Sequence, residues 1–335
     1  MDIVITTIFP PTPGAIAISQ ELAKRGGTLW VMGDRKGPTD YPLPQVRFVN
    51  IESQLGLPFR LARRLAEKSY TRKNLGYLLA IEQGARVLVE TDDDNVPLPG
   101  FWEERRARLA VRRVLRPGWC NVYRYFSDAR IWPRGFPLEE INPSLSQPLD
   151  SASLQEAECL VQQALADANP DVDAVYRLTS PLPIHFEVRD PVALAGGCWC
   201  PFNSQNTTFF APAFPLLYLP SGCTFRMTDI WRSFVAQRCL WAMDSQLAFT
   251  PATMRQERNE HHLLRDFEDE VPGYLHNQEI RMVLESLSLQ PGRNVAEVCE
   301  NLQRCYAGLV QANLLPEREL ELVDAWIQDL RSLVG

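Results

Sequence analysis

The first hundred residues alternate between strand-like and helix-like patterns, and this alternation constrains the fold more than any other feature of the sequence. Runs rich in β-branched residues are typical of strands, and the stretches between them have the periodicity of amphipathic helices. The predicted strands are 2–7, 28–32, 45–49 and 85–90, and the predicted helices are 15–25 and, in one piece or two, 57–84. Strands and helices that alternate at this spacing form a parallel sheet with helices on its faces. The sequence therefore predicts an α/β fold.

The remainder of the chain has a different pattern. The segment from about 117 to 225 is rich in Pro, Trp, Phe and Tyr, and helical patterns dominate from Asp229 onward. The predicted strands of the middle segment are 121–126, 174–178 and 207–210, and the predicted helices are 153–167, 229–243, 254–289, 295–312 and 317–333. We predict a main domain over 1–290, with one half at about 1–116 and the other at about 117–290, and a helical C-terminal appendix over 291–335.

Net charge and composition exclude several classes of protein. The chain carries 34 basic and 41 acidic residues, a net charge of −7, which argues against non-specific binding to nucleic acid or to an anionic membrane. No stretch approaches the ~20 apolar residues that span a bilayer, and the N-terminus has no cleavable leader pattern. The eight cysteines form no CxxC pair, so reduced thiols fit better than a zinc or disulfide framework. We predict a soluble, cytoplasmic protein without a transmembrane segment or a nucleic-acid partner.

An acidic triplet at the end of a predicted strand is the strongest chemical signal. The apolar run 87–89 is followed by Glu90 and then by Asp92, Asp93 and Asp94. Because side chains alternate along a strand, Asp92 and Asp94 point to the same side. Two carboxylates in this arrangement suit Mg²⁺ or Mn²⁺ that bridges to substrate phosphates. A solvated acidic turn has the same spacing, so the pattern alone leaves both interpretations open.

Charged residues at other predicted element boundaries suit the same chemistry. Arg72 and Lys73 begin a predicted helix just before the acidic strand, where they suit a diphosphate or simply face solvent. Asp34 follows the second strand, at a position suited to a nucleoside or to a plain turn. Asp229 is placed at a helix start, where an acid is a good N-cap.

An uncharged polar stretch, 201–207, lies between aromatic neighbours. Planar amides beside an apolar face suit sugar hydroxyls, and a well-capped loop has the same composition. This stretch and the first turn after Asp229 are the candidate acceptor side of a site.

Seven sequence strings, in one order through about two thirds of the chain, resemble the STELLO-type glycosyltransferase family. The strings are GDRKGP (33–38), YTRKNLGYLLAIEQGARVLVETDDDN (70–95), VYRYF (122–126), IWPRGFP (131–137), VYRLT (175–179), PFNSQNTTFF (201–210) and RMTDIWRSFVAQRCLW (226–241). The resemblance implies a GT-A fold, a nucleotide-binding α/β sandwich around a mostly parallel sheet. It also implies a metal-dependent enzyme that moves a sugar from a nucleoside-diphosphate sugar, foremost a UDP-sugar, to a hydroxyl of an unknown glycan, lipid or small molecule.

The resemblance also assigns residues to roles. Asp92 and Asp94 match the outer acids of a DxD motif and would hold Mn²⁺ or Mg²⁺, and Asp229 lies where inverting GT-A enzymes place a catalytic acid. Thr228 stands where those enzymes often have a second acid, which weakens the match. The predicted donor-binding residues are Thr7, Asp34, Arg72, Lys73, Asn74 and Asp93. The predicted acceptor-side residues are Asn203, Gln205, Asn206, Trp231 and Arg232. By this resemblance, 1–116 is the donor half and 117–290 the acceptor half.

Two alternative functions stay open. Plant UDP-arabinopyranose mutases have a similar acidic triplet and a related Asp-Trp helix start, and they need no external acceptor. A non-catalytic scaffold that keeps the GT-A fold is the other alternative, although the intact DxD motif with Arg72 and Lys73 favours an enzyme. The sequence leaves the sugar, the acceptor and the oligomeric state open.

Overall fold

The N-terminal region forms the parallel sheet that its pattern predicts. The computed structural model describes residues 1–149, 153–257 and 262–334. The first elements are β1 (Asp2–Thr7), α1 (Pro13–Arg25), β2 (Thr28–Gly33), β3 (Val46–Val49), α2 (Ile51–Leu55), α3 (Lys73–Glu82) and β4 (Val87–Thr91). The four strands pair in the order β3-β2-β1-β4, and every pair is parallel. Of the predicted helix 57–84, only α3 is an α-helix, because residues 61–63 and 70–72 form short 3₁₀ turns.

The sheet continues through the middle of the chain. Its further elements are β5 (Asn95–Pro97), β6 (Arg108–Val114), β7 (Gly118–Trp119), α4 (Leu138–Ser146), β8 (Gln155–Glu158), β9 (Val161–Asp167), α5 (Ala174–Thr179), β10 (Val192–Leu194), β11 (Cys198–Trp199), β12 (Asn206–Phe210), α6 (Thr228–Ala242) and β13 (Leu247–Gln256). The full order is β3-β2-β1-β4-β12-β9-β13-β10-β6-β8, with β5 on β13, and β7 and β11 form a separate pair. The predicted α/β fold class is confirmed.

Strand direction brings several chain segments to one edge of this sheet. β12 is antiparallel to both β4 and β9, and β13 is parallel to β9. The ends of β1, β2, β4, β9 and β13 and the beginning of β12 therefore lie along the same edge. Ligands of open α/β sheets bind at such an edge.

Three predictions in the middle segment are wrong. The predicted helix 153–167 forms β8 and β9 instead. Its Ala, Leu, Gln and Glu residues favour helices. Pairing of β9 between β12 and β13 overrides that preference. The predicted strand 174–178 is α5, whose start is fixed by Asp173 accepting from the Tyr176 amide. The predicted strand 121–126 contains a 3₁₀ turn, Val122–Tyr125.

Helices complete the chain. They are α7 (Leu263–Ser286), α8 (Val295–Gln311) and α9 (Arg318–Val334). The prediction of a helix from residue 254 is wrong at its start, because 254–256 end β13, while 258–261 lie outside the described residues. Among the described residues, no helix combines the length and apolar composition needed to cross a bilayer.

The last helix anchors two segments that lie far from it in the sequence. Glu319 is buried and accepts from the Tyr218 hydroxyl and from the amides of Ser221 and Gly222. Asp329 accepts from the amides of residues 60 and 61. The helical C-terminal region thus packs on the main sheet structure, and its status as a separate unit stays a prediction.

Candidate active site

A cleft of about 400 Å³ opens along the sheet edge described above. Thr7 ends β1 and Asp34 follows β2, and both line the cleft on one side of β4. Asp171 follows β9 and lines the cleft on the other side. The predicted site residues that line the cleft are Thr7, Asp34, Arg72, Asp92, Asp93, Asp94, Gln205 and Asp229. Residues far apart in the sequence thus meet in one concave site, which is the usual setting of a ligand pocket.

Asp92 lines this cleft. Its Oδ1 accepts from the Tyr70 hydroxyl at 3.1 Å and lies 3.6 Å from Lys73 Nζ. Burial raises the pKa of Asp92 to about 7, although Lys73 opposes the shift and Asp94 adds to it. The carboxylate is therefore short of positive charge.

The other two acids of the triplet point to different partners. Asp93 accepts from the Thr7 hydroxyl, and burial raises its pKa to about 6 despite that bond. Both oxygens of Asp94 lie 3.2 Å from Gln256 Nε2, which donates to them. Asp92 and Asp94 line the cleft together with Gln256.

The oxygen donors of the cleft fit a hard divalent cation. Gln256 is buried, and its Oε1 has no hydrogen-bond partner within 1–149, 153–257 and 262–334. No cluster of three or more His, Cys, Asp or Glu side chains suited to a metal occurs in those ranges. The available donors are therefore the carboxylates of Asp92 and Asp94 and an amide oxygen that needs a partner. Mg²⁺ and Mn²⁺ accept such a set when phosphates and water complete the coordination.

Lys73 and Asn74 lie beneath the cleft rather than in it. Lys73 is fully buried, and its Nζ donates to the Tyr70 hydroxyl at 2.9 Å and to the Thr91 carbonyl at 2.8 Å. Asn74 pairs with the backbone of Leu219 through both its amide nitrogen and its oxygen. Arg72 lines the cleft, but Gln54 and two carbonyls accept from its guanidinium. These three residues shape the walls of the site.

Only one of the five predicted acceptor-side residues lines the cleft. That residue is Gln205. Asn203, Asn206, Trp231 and Arg232 are buried and have partners inside the protein, such as Glu90, which lies 2.6 Å from the Arg232 guanidinium. Buried polar groups that are satisfied in this way hold the structure together.

Asp229 is held by an arginine that the sequence reasoning missed. Arg134 Nη1 and Nη2 donate to Asp229 Oδ1 and Oδ2 at 3.1 and 2.9 Å, and the same guanidinium donates to Asp171 at 2.7 and 2.8 Å. Burial alone would raise the pKa of Asp229, but Arg134 holds it below its usual value. The N-cap of α6 is Met227, so the structure does not support the alternative that Asp229 only caps its helix, and the acid stands in the first turn.

A short chain of hydroxyl groups links the two acidic groups. The Tyr70 hydroxyl contacts Ser204 Oγ, and Ser204 Oγ lies 3.3 Å from Asp229 Oδ2. The Ser204 amide also donates to that oxygen, at 3.1 Å. Burial raises the pKa of Tyr70 well above its ordinary value, so the phenol keeps its proton.

Two lysines are further site residues that sequence reasoning missed. The chain has only four lysines, and Lys36 and Lys68 line the cleft while Lys73 lies directly beneath it. Both cleft lysines are exposed, and neither forms an ion pair with any described residue. The rarity of lysine beside 30 arginines was the available signal. For Arg134, Tyr70 and Ser204 the signal was their place within the resembling strings.

Comparisons with known proteins identify relatives of the chain. A family model described as STELLO glycosyltransferases matches residues 226–334. STELLO2 and STELLO1 of Arabidopsis thaliana, each named a probable glycosyltransferase, are 27% identical over 331 residues and 91% of this chain. The chain spans about two fifths of their length, 42% and 41%. These matches confirm the resemblance that the sequence strings predict.

A solved structure is also similar. It is glucosyl-3-phosphoglycerate synthase from Mycobacterium tuberculosis, which is 11% identical with a TM-score of 0.41. The alignment covers 82% of this chain and 78% of that one.

Proposed function

Because the chain is related to the STELLO glycosyltransferases, we propose that it is a metal-dependent glycosyltransferase. It moves a sugar from a nucleoside-diphosphate sugar, foremost a UDP-sugar, to a hydroxyl of a glycan, lipid or small molecule. One observation carries the proposal: Asp92, Asp94 and Asp229 line a single cleft although they come from distant parts of the chain. Burial raises the pKa of Asp92 to about 7, whereas Arg134 lowers the pKa of Asp229 and keeps that carboxylate ionised.

The donor occupies the side of the cleft formed by β1, β2 and β4. Asp34 follows β2, where its carboxylate can accept from nucleoside hydroxyls or imino groups. Asp92 and Asp94, with Gln256, would hold Mn²⁺ or Mg²⁺, and this cation neutralises charge on the leaving diphosphate when it is bound. Lys36 and Lys68 are exposed at the same cleft and add point charges for the phosphates.

Asp229 is the proposed base for the acceptor hydroxyl. Within the described part of the chain its Oδ1 accepts from Arg134 alone, which leaves that oxygen a lone pair for a substrate proton. A depressed pKa keeps the group ionised but makes it a weak base toward a free alcohol. The proton therefore transfers only as the acceptor oxygen bonds to the sugar carbon, because that bond makes the hydroxyl strongly acidic.

A panel of nucleotide sugars tests the proposal. The protein is incubated with each donor and Mn²⁺, with and without a mixture of sugar, lipid and small-molecule acceptors, and the products are identified by mass spectrometry. We expect one class of donor to give two products: the free nucleoside diphosphate and an acceptor that carries the sugar. Glu104→Gln, at an exposed position away from the cleft, is the matched control.

Other outcomes would contradict the proposal. An isomerised donor formed without acceptor would identify a mutase. Nucleotide binding without any product from the whole panel would favour the scaffold.

A further inference from the structure

We propose that Tyr70 and Ser204 form a hydrogen-bond switch that couples cation binding at Asp92 to the hydrogen bonding of Asp229. The inference rests on the proposed function, since it requires a cation at Asp92. Tyr70 and Ser204 are positioning residues in this account, because they act through the two carboxylates.

The Tyr70 hydroxyl has one proton but two neighbours that can accept it. The Tyr70 hydroxyl lies within hydrogen-bond distance of three groups: Lys73 Nζ, Asp92 Oδ1 and Ser204 Oγ. Lys73 donates, so Tyr70 accepts from it. A phenol has only one proton to donate, and that proton can go to Asp92 or to Ser204 but not to both.

Ser204 faces the same restriction. Its single hydroxyl proton can go to Tyr70 or to Asp229 Oδ2, which lies 3.3 Å away. The two choices are linked. When Tyr70 donates to Asp92, Ser204 donates to Tyr70, and Asp229 keeps the Ser204 amide bond and its two bonds from Arg134 but not the Ser204 hydroxyl bond. When Tyr70 donates to Ser204, the Ser204 hydroxyl is free to donate to Asp229.

Cation binding selects between these two arrangements. An ionised carboxylate is a strong hydrogen-bond acceptor, and without a cation Asp92 attracts the Tyr70 proton. A cation on Asp92 neutralises that charge, so the Tyr70 proton turns to Ser204 and the Ser204 proton turns to Asp229. The loaded site therefore gives Asp229 one more hydrogen bond, which fixes the carboxylate for the acceptor.

The surroundings hold both hydroxyl groups in place for this exchange. Ser204 is 2% exposed, and the Tyr70 ring packs edge-on against Phe225 with centroids 5.5 Å apart. The Lys73 ammonium lies 5.0 Å from the centre of the same ring. Tyr70→Phe keeps these ring contacts and removes only the hydroxyl, so it tests the switch without emptying the site.

Removing the two hydroxyls one at a time and together tests the coupling. UDP is titrated by calorimetry with Mn²⁺ and again in chelator, and the ratio of the two affinities measures what the cation contributes. In Ser204→Ala the Tyr70 proton loses its second acceptor and stays on Asp92, where it competes with the cation. We expect the ratio to fall about tenfold, the effect of one hydrogen bond to a charged group.

Adding Tyr70→Phe to Ser204→Ala should restore the ratio that Ser204→Ala lowers. Tyr70→Phe alone should leave the ratio within about twofold, because Ser204 then donates to Asp229 in both states. Tyr70→Phe combined with Ser204→Ala should return the ratio to within about threefold of the unmodified protein, since no phenol proton is left on Asp92. Ser233→Ala, which removes a buried hydroxyl bonded to a carbonyl outside the switch, should change nothing.

The outcomes separate the inference from the proposed function. Rescue in the combined variant supports the switch, whereas a combined variant as weak as Ser204→Ala, or weaker, overturns it. An unchanged ratio in Ser204→Ala also overturns it. If the unmodified protein binds UDP equally well with Mn²⁺ and in chelator, the metal dependence of the proposed function fails as well. Should Ser204→Ala unfold, Ser204→Gly provides the same loss of hydroxyl.

Discussion

The two acidic groups of the cleft differ in the source of their countercharge. Asp229 shares a guanidinium with Asp171, and Arg134 donates to both of its oxygens. Among the described residues, the cation paired with Asp92 is the ammonium of Lys73, which lies 3.6 Å away and is already bonded to two other groups. Accordingly, the pKa of Asp229 is lowered, whereas burial raises the pKa of Asp92 to about 7.

The difference is whether the protein itself supplies a cation that compensates the buried carboxylate. A buried carboxylate is stable only when a cation or several donors compensate its loss of hydration. Arg134 provides that compensation for Asp229 within the protein. For Asp92 the described residues offer the Lys73 ammonium at 3.6 Å, and in the proposed function a cation brought in with the substrate would add the missing compensation. In the proposed function, one side of the cleft would thus bind an external cation, whereas the other side keeps a fixed one.

Asp229→Asn should produce the largest effect on chemistry. The amide cannot take a proton, so transfer should fall by roughly 10²–10⁴-fold. The affinity for UDP with Mn²⁺ should change by less than tenfold, because Asp229 lies outside the proposed donor side of the cleft, which β1, β2 and β4 form. Initial rates with the donor identified in the panel, and calorimetry with UDP, measure the two quantities.

Asp171→Asn is the matched control for that variant. It also removes a carboxylate from Arg134, so it should cost similar stability without removing the proposed base. Equal losses of transfer in Asp171→Asn and Asp229→Asn would show that both acids act only by holding Arg134.

Arg134→Met should have the next largest effect, on the free energy of unfolding. It leaves two buried carboxylates without a partner, which typically costs about 3–5 kcal/mol. Chemical denaturation measures the change. Arg106→Met removes an exposed pair with Glu104 and should cost about 0–1 kcal/mol. Similar losses in both variants would contradict the view that Asp229 depends on an internal cation.

Lys73→Met and Lys68→Met should have smaller and contrasting effects. Lys73 is buried and bonded to Tyr70 and Thr91, so its removal should lower the free energy of unfolding by about 1–3 kcal/mol. Lys68 is exposed at the cleft, so its removal should leave stability unchanged and weaken UDP by roughly 1.5–3 kcal/mol. Uridine, which lacks phosphates, should bind both variants normally. If Lys73→Met instead weakened UDP binding and left stability unchanged, Lys73 would contact the diphosphate.

The fold could be predicted where local pattern and tertiary structure agree. β1, β2 and β4 are apolar runs bounded by turn residues. Their local preference for strand agrees with their pairing in the sheet. β9 could not be predicted, because its residues favour a helix and only its neighbours β12 and β13 make it a strand. Pairing between segments far apart in the sequence has no local signature.

The site could also be predicted only in part: residues in recognisable motifs were found, and contacts between distant segments were not. Asp92, Asp94 and Asp229 stand in motifs with a chemical meaning, and the structure brings them together. The burial of Lys73 and the pairing of Arg134 with Asp229 depend on packing between distant segments, and a basic residue in a motif gives no sign of whether it faces substrate or a neighbouring acid.

The dependence of UDP binding on Mn²⁺ tests the central comparison most directly. Calorimetry would compare the unmodified protein, the Asp92→Asn plus Asp94→Asn variant and Asp229→Asn, each with Mn²⁺ and in chelator. We expect chelator to abolish tight binding by the unmodified protein and by Asp229→Asn, and the double variant to bind weakly with or without Mn²⁺. Full affinity for UDP in chelator, or an unchanged affinity in the double variant, would contradict the account.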